Sequence, residues 1–140
     1  MTDGDEQRGS ESEKLDQFSA KGFERGASKF KETFWLGLGA RLFGATVGQN
    51  TVWKPGVRVK FPWRLTVGDH CWVGEVAWID NLAQVTLADH VCISQGAYLC
   101  TGNHDWSSEK FDLLTQGITV ESGAWIGAKS VVCPGAHIEE

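Results

Sequence analysis

The sequence predicts an all-β fold, a parallel β-helix of about four triangular coils preceded by a short helix. Aliphatic side chains recur every six residues, and groups of three such positions repeat at 20-residue intervals through the first coils. The fifth place of each six-residue block is mostly small or medium-sized. One long interruption after residue 104 breaks this otherwise regular pattern, which predicts a loop projecting from the helix.

Twelve lead residues carry the repeat, and they define predicted coils at 47–66, 67–86, 87–119 and 120–138. The leads are Val47, Trp53, Val59, Val67, Val73, Ile79, Leu87, Ile93, Leu99, Val120, Ile126 and Val132. Three six-residue sides form one coil, in which the leads point inward and the small residues fit near the corners. Helices need a period near 3.6 and hairpin sheets need strict alternation, so neither fits. A glycine-rich β-sandwich with accidental periodicity fits poorly, because twelve leads share one register.

The residues before the repeat divide into two predicted segments. Residues 1–24 begin with MTDGDEQRGSESEK and are predicted to form a disordered acidic tail. Residues 25–46 are predicted to form a helical cap, with a short helix at about 30–43 whose apolar residues share one face. Such a cap covers the end of a solenoid, which otherwise exposes its core and its strand edges. Residues 47–140 then form the β-helix domain.

The bulk composition argues against several classes of function. The net charge of −5 argues against nucleic-acid binding, which requires a basic surface. No apolar run approaches the roughly 18 residues that indicate a membrane span, and the acidic start is not a signal peptide. The four cysteines show no CxxC spacing of a zinc site or redox motif. Without an export signal, they are expected to be reduced thiols in the cytoplasm.

The interruption predicts the site. Val120 follows Leu99 by 21 residues where eight are expected, and the extra residues cover most of DWSSEKFDLLTQGIT. An insertion into a solenoid projects from one corner and often carries function. His104 stands where the regular scaffold meets this loop, and histidine accepts protons near neutral pH. His104 is therefore the candidate general base; the alternative is a surface histidine with no role.

Four stretches of the chain resemble a known family: RLFGATVG at 41–48, FPWRLTVGDHCWVG at 61–74, ISQGAYLCTGNHDW at 93–106 and AWIGAKSVVCPGAHI at 124–138. They resemble the hexapeptide-repeat acyltransferases, specifically the sugar O-acetyltransferases of the colanic-acid biosynthesis type. The resemblance implies a left-handed β-helix, against the usual right-handed crossover. It also implies a homotrimer, with acetyl-CoA in a groove between neighbouring prisms, a loop that reaches the next subunit, and a sugar acceptor, free or linked to a nucleotide or lipid.

The resemblance further implies roles for individual residues. His104 matches the general base that deprotonates the sugar hydroxyl as it attacks the thioester, with no covalent acyl-enzyme. Asn81 falls at a position that helps hold the acceptor, although hydrogen bonding along a corner is an equal alternative. Trp125, Gly127 and Ala128 match a stretch that lines the coenzyme A groove; the alternative for Trp125 is a subunit contact. Asp105 is expected to be exposed to solvent and not to orient His104.

Two other functions stay open. Relatives continue past PGAHIEE with at least one more coil, so the C-terminal coil is expected to be truncated and a non-catalytic scaffold or inactive homologue is an alternative. β-helix carbonic anhydrases bind zinc through three histidines, including a pair five residues apart. No two of His70, His90, His104 and His137 have that spacing, and no metal is expected. His70 and His90 share a column, which predicts a solvated stack.

Overall fold

The structure is a computed structural model that describes residues 39–140. The predicted acidic tail (1–24) and most of the predicted helix (about 30–43) lie outside the described residues. Residues 39–42 are helical, which agrees with the end of that predicted helix. Ala40 in this segment packs against the hydrophobic core.

Fifteen short β-strands, joined by turns and short connections, follow in the described chain. They are β1 (Thr46–Val47), β2 (Val52–Trp53), β3 (Arg58–Val59), β4 (Leu65–Val67), β5 (Trp72–Val73), β6 (Trp78–Asp80), β7 (Val85–Leu87), β8 (Cys92–Ile93), β9 (Tyr98–Cys100), β10 (Gly102–His104), β11 (Leu113–Thr115), β12 (Ile118–Val120), β13 (Trp125–Ile126), β14 (Val131–Val132) and β15 (His137–Ile138). A short 3-10 helix at Pro62–Arg64 forms one corner of the first coil.

Three parallel sheets form the faces of a prism. The first sheet has the order β1-β4-β7-β12-β15, the second β13-β8-β5-β2 and the third β14-β9-β6-β3. Strands of successive coils pair in register, as Val73 does with Ile93 in the second sheet. The predicted left-handed parallel β-helix is confirmed, and the β-sandwich alternative is excluded by the parallel pairing.

The predicted leads fill the interior of this prism. Val73, Ile79, Ile93, Leu99 and Val120 are each 0% exposed. Small side chains of the fifth places lie beside them at the corners, since a larger group would not fit where the backbone turns. These buried small residues are Cys71, Ala77, Val91, Ala97 and Ala124. Burial of one aliphatic side chain stabilises the fold by about 1.5–3 kcal/mol, so each column contributes along its whole length.

The turns between the first and second sheets also repeat from coil to coil. The Asp69 carboxylate accepts the Gln49 N–H at 2.7 Å, and the Asp89 carboxylate accepts the Asp69 N–H at 2.7 Å. His70 and His90 occupy equivalent left-handed positions, with φ of 57° and 59°. Their rings stack with centroids 5.0 Å apart and planes 5° from parallel, as the shared column predicts.

The interruption differs in extent from its prediction. The chain leaves the prism already at Gly102, because β10 pairs with β11 in an antiparallel hairpin. It rejoins the prism at Ile118, whose partner is Val85, two residues before the predicted lead Val120. The reason is that each strand of the first sheet in the preceding two coils also begins two residues before its lead, as β4 and β7 do.

Candidate active site at the projecting hairpin

Thr101 fixes the place where the hairpin leaves the prism. This residue is 0% exposed, and its hydroxyl donates to the Asp80 carbonyl at 3.0 Å while accepting the Ala83 N–H at 2.9 Å. Its own carbonyl accepts the Gln116 N–H at 2.9 Å, which joins the two ends of the hairpin. The sequence prediction missed Thr101, although it directly precedes the glycine of the TGNHD motif.

Gly102 allows the hairpin to start close to the preceding coil. A Cβ atom built at Gly102 would lie 2.5 Å from the Leu82 Cδ1 atom, well inside normal contact. A side chain at this position would therefore displace the hairpin or Leu82. His104 follows two residues later and pairs with Leu113 across the hairpin.

The His104 ring is held by Phe111, from the far side of the hairpin loop. The imidazole Nδ1 lies 2.9 Å from the Phe111 carbonyl oxygen. A carbonyl oxygen only accepts hydrogen bonds, so the neutral imidazole carries its proton on Nδ1 and leaves the Nε2 lone pair free. The two rings also stack, with centroids 4.4 Å apart and planes 7° from parallel. An exposed imidazole with a fixed tautomer can accept a proton at Nε2.

The Asp105 carboxylate makes no hydrogen bond to the His104 ring. Its carboxylate accepts hydrogen bonds from the Ser107 hydroxyl at 2.5 Å and from the Ser107 N–H at 2.9 Å. These bonds to the charged form lower the pKa of Asp105 below its usual value. The carboxylate therefore organises the loop after His104.

Asn81 lies inside the corner of the second coil and is 0% exposed. Its Oδ1 accepts the Phe61 N–H at 2.9 Å, and its Nδ2 donates to the Phe61 carbonyl at 2.7 Å and to the Arg64 carbonyl at 3.0 Å. The amide is thus fully used in holding the turn of the first coil. These hydrogen bonds correspond to the alternative of corner hydrogen bonding, and the acceptor role of Asn81 stays a prediction.

The predicted donor-site residues lie together on another part of the prism. Trp125 begins β13 on the second sheet, is 64% exposed, and donates from Nε1 to the Ser94 hydroxyl at 2.7 Å. Gly127 and Ala128 follow in an exposed turn. A Cβ atom built at Gly127 meets only the Ser130 hydroxyl, at 3.4 Å, so the backbone here is open to a ligand.

A single chain does not bring His104 and Trp125 together. The hairpin leaves the corner between the third and first sheets, because it connects β9 to β12. Trp125 lies on the second sheet, which is the face opposite that corner in a three-sided prism. A site that uses both residues therefore needs two copies of the chain.

Large apolar side chains are exposed on both of these regions. On the hairpin they are Trp106 (86% exposed), Phe111 (57%), Leu113 (53%) and Leu114 (51%), and on the last coil they are Trp125 (64%) and Val131 (61%). Clusters of exposed apolar side chains mark contact surfaces in soluble proteins.

The structure shows no metal site within residues 39–140, where no three His, Cys, Asp or Glu side chains are placed to hold an ion. All four cysteines are free thiols. The same part of the chain contains no helix of the length and apolar character needed to cross a membrane.

Comparison with curated proteins finds homologues of this chain. It is 39% identical over 104 residues to a protein of Escherichia coli (strain K12) provisionally named colanic acid biosynthesis acetyltransferase WcaF. The alignment covers 74% of this chain and 57% of the relative, so the chain spans little more than half of the relative's length. A Shigella flexneri protein of the same name gives the same values. No family model matches the chain.

Comparison with solved structures supports the fold. A galactoside acetyltransferase in complex with coenzyme A superposes with a TM-score of 0.66 and 23% identity, over 72% of this chain and 52% of that one. A hexapeptide-repeat-containing acetyltransferase from Vibrio cholerae superposes with a TM-score of 0.59 and 20% identity, over 72% of this chain and 66% of that one.

Proposed function

Because this chain is a homologue of the hexapeptide-repeat acetyltransferases and shares their left-handed β-helix, we propose that it transfers an acetyl group from acetyl-CoA to a sugar hydroxyl. The name of the curated relatives suggests a place in exopolysaccharide biosynthesis of the colanic-acid kind. One observation carries the proposal more than any other: the His104 imidazole stands on the projecting hairpin with Nδ1 hydrogen-bonded to the Phe111 carbonyl and with no hydrogen-bond partner for Nε2 among residues 39–140.

His104 acts as the general base in this proposal. Its Nε2 accepts the hydroxyl proton of the sugar while the hydroxyl oxygen attacks the thioester carbonyl of acetyl-CoA. The tetrahedral intermediate collapses with loss of the coenzyme A thiolate, which takes the proton back from the imidazolium. No covalent acyl-enzyme forms. General-base assistance of this kind contributes about 10²–10⁴ in rate, and the remainder comes from positioning and from a backbone N–H donor to the oxyanion.

The donor binds in a groove between two copies of the chain in this proposal, with Trp125, Gly127 and Ala128 along one wall. The open backbone at Gly127 suits a pantetheine arm lying against it. His104 reaches the thioester from the neighbouring copy, since the hairpin and the second sheet lie on opposite sides of one prism. A closed ring of copies satisfies every such pair, and three is the number that the family resemblance implies.

The acceptor is a sugar, free or attached to a nucleotide or lipid, that lies beside the hairpin. Asn81 contributes indirectly, by holding the 61–64 turn at the same corner two coils away. The reaction is placed in the cytoplasm, where thiols stay reduced, and this agrees with the four free cysteines. A non-catalytic scaffold is the second candidate, but a scaffold role does not explain why the Phe111 carbonyl orients the His104 ring through Nδ1.

The first experiment is calorimetric titration of the full 140-residue chain with acetyl-CoA, combined with its mass in solution. We expect saturable binding at one site per chain and a trimer. Release of the coenzyme A thiol is then followed with a panel of sugar acceptors. His104→Gln should retain binding and lower turnover by about 10²–10⁴-fold.

The matched control is His137→Gln, which changes another exposed histidine, one whose Nε2 lies 2.9 Å from Glu121 on the first sheet. We expect unchanged turnover in this control. Absence of acetyl-CoA binding to the chain would contradict the transferase and favour the scaffold. Equal turnover of His104→Gln and wild type would contradict the assigned base.

A further inference from the structure

The Phe111 backbone adopts an unusual conformation at the end of the hairpin loop. Its φ is +50°, in the left-handed region that a bulky aromatic residue rarely occupies. The loop closes around it, since the Asp105 N–H donates to the Asp112 carbonyl at 2.8 Å and the Phe111 N–H donates to the Ser108 carbonyl at 3.0 Å. Strained backbone of this kind persists when neighbouring contacts over-determine it.

This conformation lets one residue contact His104 in two ways. The Phe111 carbonyl accepts the Nδ1–H at 2.9 Å, and the Phe111 ring lies flat on the imidazole at 4.4 Å. The hydrogen bond selects the Nδ1–H tautomer, but it is exposed to water and by itself leaves the ring free to turn away from the carbonyl. The stack removes that freedom by fixing the ring plane. The two contacts together determine the direction of the Nε2 lone pair.

We propose that Phe111 is a positioning residue, whose carbonyl and ring together hold His104 in the Nδ1–H tautomer with Nε2 aimed at the acceptor hydroxyl. The catalytic part of this inference rests on the proposed function, whereas the tautomer can be measured without any substrate. Phe111 is half exposed, at 57%, so burial of its ring does not by itself account for its place on the imidazole. The sequence prediction missed this residue.

The test is a long-range proton–nitrogen NMR spectrum of the ¹⁵N-labelled full-length chain at about pH 8.5, above the ordinary titration range of imidazole. His104→Gln identifies the His104 signals among those of the four histidines. Wild type and Phe111→Tyr should show His104 with its proton on Nδ1. Phe111→Leu removes the aromatic ring, and Phe111→Asn removes it while accepting the left-handed backbone. Both should show the Nε2–H tautomer, which free histidine prefers in water.

Trp106→Leu is the matched control, because it removes an aromatic ring from the same loop that does not stack on His104 in the structure. Its tautomer signals should equal those of wild type. Amide signals of the paired strands β10 and β11 report whether the hairpin remains folded in each variant. Retention of Nδ1–H in both Phe111→Leu and Phe111→Asn, with the hairpin folded, would overturn the proposal, as would an Nε2–H wild type.

Turnover provides the second readout. We expect Phe111→Leu and Phe111→Asn to lower kcat by about 10- to 100-fold with little change in acetyl-CoA affinity, and Phe111→Tyr to restore it. A tautomer shift in a chain that transfers no acetyl group to any acceptor supports the positioning role and contradicts the transferase. Normal turnover in Phe111→Asn supports the transferase and contradicts the positioning role.

Discussion

The coils and the hairpin differ in how much of their apolar side chains they bury. In the coils, most strands place an aliphatic side chain inside the prism, and several of these side chains are 0% exposed. In the hairpin, all three residues of β11 are exposed and the loop carries Trp106 at 86% exposure. None of the buried apolar side chains of residues 39–140 lies within 102–117, so we expect the coils to fold without the hairpin, whose two ends meet at Thr101. Stability is therefore located in the coils, and the candidate chemistry in the hairpin.

Replacement of the hairpin should separate these two properties most sharply. Residues 82–84 connect the second coil to the third, at the place where 102–117 interrupt the repeat. Substituting LAQ for residues 102–117 should leave the β-helix folded and remove His104 and Phe111 together. We expect acetyl transfer to fall by at least about 10³-fold. Circular dichroism and thermal melting report the fold, and a chain that loses its β-sheet signal would contradict the separation.

A core substitution should give the largest effect on stability. Ile93 is 0% exposed and lies between Val73 and Ile126 in its column. Ile93→Ala should lower the free energy of unfolding by about 2–5 kcal/mol, because it leaves a cavity that the stacked coils cannot close. Leu114→Ala, on the exposed hairpin, should change it by less than about 0.5 kcal/mol. Urea unfolding measures both, and equal losses would show that the hairpin also supports the fold.

Asn81 and Asn103 allow the same comparison of coil and hairpin stability with polar side chains. Asn81→Ala removes three hydrogen bonds and leaves the Phe61 N–H without its partner, so we expect a loss of about 1–3 kcal/mol in unfolding free energy. Asn103→Ala, on the exposed hairpin, is the control and should cost less than about 0.5 kcal/mol. If Asn81→Ala instead keeps wild-type stability and raises only the KM for the acceptor, the residue binds substrate directly.

Thiol labelling tests the smallest expected effect, which is the difference in reactivity between buried and exposed cysteines. Burial is the main cause that raises the pKa of the Cys71 thiol, and it also raises the pKa of Cys92. A raised pKa lowers the thiolate fraction at neutral pH, and the thiolate is the species that reacts. The exposed Cys133 should therefore be labelled by a maleimide first and Cys71 last. Mass spectrometry of a time course gives the order, and early labelling of Cys71 would show that the coils open readily.

The sequence predicted the prism well because a β-helix repeats one local rule. Each lead residue needs only to be aliphatic and six residues from the next, so the period alone locates the core. The same period located the interruption and pointed to His104 at its edge. The start of the hairpin at Gly102 could not be read from the period, because strand pairing with Leu113–Thr115 depends on contacts across the loop.

Contacts between residues far apart in the chain could not be predicted from the repeat period either. The sequence left Asn81 open between an acceptor role and a corner role, and only the structure shows its three hydrogen bonds to residues 61–64. The sequence did not indicate a role for Phe111, because that role depends on its φ of +50° and on the contact of its carbonyl with His104. Backbone direction at a turn is set by the packing of the whole loop.

The sequence by itself determined the fold class and most of the inward-facing lead residues, and it pointed to His104 as the candidate base, since all three follow from residue type and spacing along the chain. Tertiary structure alone shows the contact of the His104 Nδ1 with the Phe111 carbonyl, the three hydrogen bonds of Asn81 and the positions of His104 and Trp125 on different parts of one prism. These properties depend on distances between residues far apart in the chain, and such distances cannot be predicted from spacing along the sequence.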